Sequence, residues 1–278
     1  MIKINFFDRC FARNKRHIEH LNKCSGVHDK ETKTVKYVSD GSGIVDIFTD
    51  HMMEEANSFG KSKTRIGWIQ EVEAIRSSWY KKMRSNKDYY FNDLKFDFIY
   101  TYDDSIINLD PRFKRTIGMG FWIKNKAVHK KSKLVSMIVS NKRMCHYHNK
   151  RLEYKEKFKK DVDLFGRGHK EISLKEEGLC DYMFSFAMEN DIKDTLMTEK
   201  VFDCFATGTI PIYMGTRKII NYFNEDGIIF LDDSFDIKSL SPELYYSKID
   251  AVRDNFERVL NYEIPMDYYF KDVLCSGH

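Results

Sequence analysis

An α/β fold with two Rossmann-like domains is what the sequence predicts, and three observations carry the expectation. Short apolar runs rich in Ile, Val, Phe and Tyr alternate with stretches of helical periodicity along the chain. Strands that alternate with helices pair in parallel, as in doubly wound sheets. The length of 278 residues accommodates two ordinary domains. A basic, polar stretch, KNKAVHKKSK at Lys124 to Lys133, separates two such series and reads as a solvated linker. Two domains, 1–125 and 126–278, are therefore expected to face each other, with ligands in the cleft at the carboxyl ends of the strands.

In the first half, Ile2 to Phe7, Val45 to Thr49, Arg65 to Ile69 and Phe96 to Tyr100 read as strands, with helices after Asp50 and after Glu71. In the second, Leu134 to Ser140 reads as a strand and Asn149 to Lys160 as a charged helix, followed by VDLFG and YMFSFAME as strands. TEKVFDCFAT then reads as a helix, TIPIYMG as a buried strand stopped by Gly215, and GIIFLDD as a further strand. Pro242 to Tyr262 has the pattern of one long amphipathic helix.

Composition narrows the function classes. The chain is 42% hydrophobic and 32% charged with only 4 Pro, so it can bury a core and is not of the disordered class. A net charge of +4 is too mild to specify a nucleic-acid partner, and Lys124 to Lys133 lacks interleaved aromatics. With no apolar run of transmembrane length and no apolar signal region in MIKINFFDRCFARNKR, no membrane span is expected. Cys10, Cys24, Cys145, Cys180, Cys204 and Cys275 are scattered without a CxxC pair, which points to reduced thiols and a cytoplasmic setting. Cys145, His146 and His148 lack the second ligand pair of a zinc site and are given a structural or surface role.

The chemistry concentrates in YMFSFAMENDIKDTLMTEKVFDCFATGTIPIYMGT, where polar residues gather as a strand ends and a helix begins. Glu189 and Asn190 close the strand; Thr198, Glu199 and Lys200 open the helix, whose unpaired N–H groups favour a phosphate. Glu199 and Lys200, as helical neighbours, are expected to diverge and grip different parts of an extended nucleotide. A carboxylate suits ribose hydroxyls and an ammonium suits diphosphate. The same Thr-Glu-Lys pattern also starts ordinary helices.

FSFAMEN, TEK and TIPIYMG, in that order, resemble the donor-binding signature of the family 10 glycosyltransferases, the α-1,3-fucosyltransferases. KSKLVSMIVSNKR at Lys131 to Arg143 and VDLFGRG at Val162 to Gly168 resemble two further motifs of that family, so the resemblance runs from Lys131 to Asp233. It implies a GT-B type glycosyltransferase, with an N-terminal acceptor domain and a C-terminal nucleotide-sugar domain. It further implies GDP-fucose as donor, a glycan hydroxyl as acceptor, inversion, and no cofactor or essential metal. By the same resemblance Glu189, Asn190, Thr198, Glu199 and Lys200 bind donor, and Arg151 in HNKRLEY binds phosphate, with Lys150 and Arg143 as competing alignments. WIQEVEAI at Trp68 to Ile75 resembles the segment carrying an acidic residue; Glu71 aligns best as general base and Glu73 is its rival.

One position departs from the family pattern. Leu196 stands where a Tyr is usual, with Thr195 before it in place of Asp, which opens the donor to UDP-xylose, another UDP-sugar or another GDP-sugar. A non-catalytic glycan-binding module is the remaining alternative, opposed by the combined presence of Glu71, Arg151, Glu199 and Lys200. Asp161 and Asp163 of DVD could form a metal-binding DxD pair on one strand face, while Asp103, Asp104, Asp232 and Asp233 read as strand-end carboxylates. The lack of an anchor or stem points to a bacterial or virus-encoded enzyme acting on cytoplasmic glycans.

Overall fold

A computed structural model describes residues 2–7, 35–38, 41–60, 62–117 and 120–262. Cys10, Cys24, Cys275 and the stretch 263–278 lie outside these. The described residues fall into two compact units, drawn from 1–119 and from 120–263.

In the N-terminal unit six strands form one all-parallel sheet: β1 (Ile2–Phe7), β2 (Val35–Val38), β3 (Val45–Thr49), β4 (Thr64–Trp68), β5 (Phe98–Thr101) and β6 (Phe113–Arg115). Their order is β2-β1-β3-β4-β5-β6. Among the described residues three α-helices lie between them, α1 (Ala56–Phe59), α2 (Glu73–Ser85) and α3 (Asp104–Ile107), with a 3-10 turn at Asp50–Glu55. β3, VDIFT, is buried along its whole length, and its one charged residue, Asp46, accepts hydrogen bonds from Asn5 and Ser62. Phe48, Tyr80, Tyr90 and Ile99 anchor the core.

The C-terminal unit holds a second parallel sheet of β7 (Lys133–Ile138), β8 (Asp163–Phe165), β9 (Tyr182–Met188), β10 (Ile210–Met214) and β11 (Ile229–Phe230). The order is β11-β10-β9-β7-β8. Helices α4 (His146–Phe158) and α5 (Glu199–Ala206) make the crossovers β7 to β8 and β9 to β10, and α6 (Pro242–Ser247) and α7 (Ile249–Leu260) close the unit. β7 and β9 are neighbours, yet the chain leaves them in opposite directions, toward β8 and toward β10. Such a switch point opens a crevice beyond the carboxyl ends of both strands.

The α/β class and the parallel sheets agree with the expectation; three local readings are corrected. Edge strands β2 and β6 are missing from it: β6, FKR, carries two exposed cations and little apolar signal, and β2, VKYV, is only four residues long. The helix expected over Pro242 to Tyr262 is two, since Lys248 leaves helical geometry at φ −105°, ψ 10°. The stretch Lys124 to Lys133 is not a solvated linker: it packs on the C-terminal unit. Ala127 N–H donates to Ala206 O and Ser132 N–H to Asp181 O. The ammonium of Lys131, 6% exposed, donates to Cys180 O, Thr207 O and Thr209 Oγ1 at 2.8–3.0 Å.

Gly166, in the FG motif, lies at φ +109°, and a Cβ there would fall on the Val139 carbonyl oxygen. Only glycine lets the chain leaving β8 approach β7 so closely.

Buried acceptors stranded by loss of a donor destabilise a fold. Lys131→Met is expected to lower stability by about 2 kcal/mol, seen as a lower urea midpoint. An unchanged midpoint would show that those carbonyls find other donors.

Candidate functional site

A cavity of about 220 Å³ lies at this switch point, lined among others by Ser140 after β7, Met188 at the end of β9, and Arg151, Lys175, Glu199 and Lys200. Directly after Met188 in sequence stands Glu189, the residue after β9, which is 0% exposed. Glu189 Oε1 accepts the Thr198 N–H at 2.8 Å and Oε2 accepts the Thr198 hydroxyl at 2.6 Å. Those two bonds seat Thr198 as N-cap, where its oxygen accepts from Lys200 N–H and starts α5. α5 then buries Val201, Phe202, Cys204 and Phe205 between the sheet and α7.

Lys200 curls back over this cap. Its Nζ lies 3.0 Å from Thr198 Oγ1, 3.4 Å from Glu189 Oε2 and 3.5 Å from Glu199 Oε1. The expectation that Glu199 and Lys200 diverge is thereby corrected, because the long lysine stem brings its ammonium between the two carboxylates. Burial pushes Glu199 up, but Lys200 and Lys175 more than offset it and hold this carboxyl down to about 2. Burial also raises Glu189, against the pull of Lys200 and Thr198.

A second cluster surrounds Asn190. His148 Nδ1 accepts the Met144 N–H at 3.0 Å, so the proton sits on Nε2, which donates to Asn190 Oδ1 at 3.1 Å. Arg151 NH1 donates to the same oxygen at 3.4 Å. With its Oδ1 so engaged, Asn190 keeps its amide donors for other partners. Arg151 is 7% exposed, and among the described residues its buried Nε and NH2 have no hydrogen-bond partner. The arrangement suits an anion with two oxygens that can bridge the guanidinium's Nε and NH2 donors. Its rivals differ: Arg143 and Lys150 are exposed, and Lys150 pairs with Glu153 at 3.6 Å.

Six of the seven residues singled out from sequence, Arg151, Glu189, Asn190, Thr198, Glu199 and Lys200, thus gather in one unit beyond β7 and β9. The seventh, Glu71, belongs to the other unit, in the turn after β4. Asp50 Oδ1 accepts its N–H at 3.2 Å, and its carbonyl accepts from the Tyr80 hydroxyl at 3.0 Å. Its carboxylate makes no hydrogen bond or ion pair with the described residues, whereas both oxygens of Glu73 are gripped by Arg84 at 2.6 and 2.7 Å. Sequence reasoning missed Lys175, which lies in a polar turn without periodicity, and gave His148 no site role. The helix pattern around His148 held the signal, in its i,i+3 spacing, one turn, from Arg151.

Other acids have local roles. Asp163 Oδ2 accepts the Tyr182 hydroxyl at 2.7 Å, and Asp103 caps α3 through Ser105 N–H. Leu196 is 1% exposed. Among the described residues no three His, Cys, Asp or Glu converge as a metal site, and no helix is long and apolar enough to cross a membrane. Cys145, Cys180 and Cys204 are free thiols.

Residues 128–263 match the sequence model of glycosyltransferase family 10 (fucosyltransferase) C-term. Among solved structures, an α1,3-fucosyltransferase is similar at a TM-score of 0.54 and 14% identity, over 100% of this chain and 90% of that one. The structure described as α1,3-fucosyltransferase with GDP-fucose is similar at 0.52 and 14%, over 100% and 91%. At that identity the likeness bears on the fold.

The His148 geometry requires a neutral ring. Burial and the neighbouring Arg151 depress its pKa to about 4. The unfolded ring takes up a proton below about 6.5, so stability is fully present above that pH and is lost as pH falls toward 4. Between pH 7.5 and 5 the loss should be about 1–2 kcal/mol, and His148→Gln should remove that part of the pH dependence in urea titrations. Equal pH dependence in both proteins would place the proton uptake elsewhere.

Proposed function

We propose that the protein, whose residues 128–263 match the sequence model of glycosyltransferase family 10, is a glycosyltransferase that transfers fucose from GDP-fucose to a glycan hydroxyl with inversion. The observation that carries the donor side is Arg151, a buried guanidinium with two unpartnered donors opening on the same cavity as Glu199 and Lys200. A buried, unpaired cation is costly unless an anion completes it, and a sugar diphosphate is such an anion.

In this reading Arg151 and the amide of Asn190 take diphosphate oxygens, Lys200 and the N–H groups opening α5 add positive potential, and Glu199 accepts ribose hydroxyls. These contacts strengthen as the glycosidic bond breaks and negative charge moves onto the leaving diphosphate. Glu71 takes the proton of the acceptor hydroxyl, whose oxygen attacks the anomeric carbon opposite the departing nucleotide, so that configuration inverts. A base must have a carboxylate at its disposal; Glu71 does, and Glu73 is occupied by Arg84. The positive charge at the cavity comes from side chains, which supports transfer without an essential metal.

Leu196 makes donor identity the point to test first. Nucleotide release across GDP-fucose, other GDP-sugars, UDP-xylose and other UDP-sugars, with and without EDTA, is expected to be selective for GDP-fucose and to survive the chelator. Preference for a UDP-sugar would replace the donor, and loss in EDTA would overturn metal independence.

Single substitutions separate the roles. Glu71→Gln should reduce kcat by about 10²–10⁴-fold with donor Kd unchanged, and Glu73→Gln should not. Arg151→Met should weaken donor binding by about 10–100-fold. Normal turnover in Glu71→Gln would remove it as the base.

A further inference from the structure

One more cation is built into the wall of the cavity. Lys175 opens the 3-10 turn Lys175–Gly178, between β8 and β9. Its Nζ lies 2.6 Å from Asp203 Oδ2 and 3.7 Å from Glu199 Oε1. Asp203 is 1% exposed, and its other oxygen accepts the Trp122 N–H at 2.6 Å. The Lys175 ammonium also lies 5.5 Å from the centre of the Trp122 ring, within cation–π range. A flexible lysine is thereby pinned from two sides.

The pinning matters for Glu199. Around α5's first two turns stand three carboxylates, Glu189, Glu199 and Asp203, against the two ammoniums of Lys175 and Lys200. Without Lys175 a single ammonium would face all three, and Glu199 would take up a proton or swing away from its neighbours. Either change spoils it as a double acceptor for adjacent hydroxyls.

We infer that Lys175 is a positioning residue of the donor site, held by Asp203 and presenting the Glu199 carboxylate to the ribose hydroxyls of a nucleoside diphosphate. The inference rests on the reading of the cavity as a nucleotide-sugar site.

The test is calorimetric binding of GDP and of 2′,3′-dideoxy-GDP to the full chain and to three variants, Lys175→Arg, Lys175→Met and Lys175→Met with Asp203→Asn. The double variant removes the carboxylate that the single one would strand, so it reports on Glu199 even where Lys175→Met fails to fold. The unaltered protein should prefer GDP to the dideoxy analogue. Both Met variants should lose GDP affinity by about tenfold and affinity for the analogue by less than about twofold, with Lys175→Arg close to the unaltered protein. Equal losses for both nucleotides, or no loss, overturn the role of Lys175 and leave the donor site standing. Absence of GDP binding by the unaltered protein overturns the donor-site reading itself, and the inference with it.

Discussion

The ion pair and hydrogen bonds around the carboxylate of Glu189 are the constraint on which the C-terminal unit's site depends. A carboxylate at 0% exposure is tolerable only with its lone pairs filled and a countercharge near. Thr198 supplies two donors and Lys200 the charge. Satisfying Glu189 therefore fixes the residue that caps α5, and the cap fixes the helix's first turn. That turn carries Glu199 and Lys200, and the next brings Asp203 to Lys175. A single buried charge at the end of β9 so determines where a helix begins and which side chains its first two turns offer to the cavity.

Topology explains why these residues meet. At the switch point α4 and α5 start from neighbouring strands and run toward opposite edges of the sheet, so the loops that begin them border a common crevice. From one side come His148 and Arg151 of α4, from the other Glu199 and Lys200 of α5. Asn190 and Glu189, leaving β9, stand between them. Arg151 meets Asn190 across 39 residues of sequence, and Lys175 meets Asp203 across 28.

Much of this was legible in the sequence, for physical reasons. Fully buried strands such as YMFSFAM announce themselves by apolar runs, broken here only by Ser185, and a Thr before Glu-Lys announces a capped helix. The edge strand FKR carries two exposed cations and no such signal. The basic stretch ending at Lys133 misled because composition does not tell a solvated ammonium from one filled by three carbonyl and hydroxyl oxygens, as Lys131 is. Lys175 was invisible because its meaning lies in a non-local pair. Motif matching also left Arg151 beside Lys150 and Arg143; burial and pairing separate them.

Charge balance shows how the site divides its work. Lys200 and Lys175 are already committed to carboxylates, so their fields are partly spent on holding Glu189, Glu199 and Asp203 in place. Among the described residues Arg151 has no carboxylate within ion-pair distance, and burial makes its charged form less favourable than in water. An entering anion thus meets one under-satisfied cation backed by a rigid, nearly neutral frame, rather than a loose cluster of lysines. In the proposed reading of the site, preorganisation of this kind favours the anion whose oxygens match the guanidinium fork and whose hydroxyls reach Glu199, so that the geometry that stabilises the fold would also select the ligand.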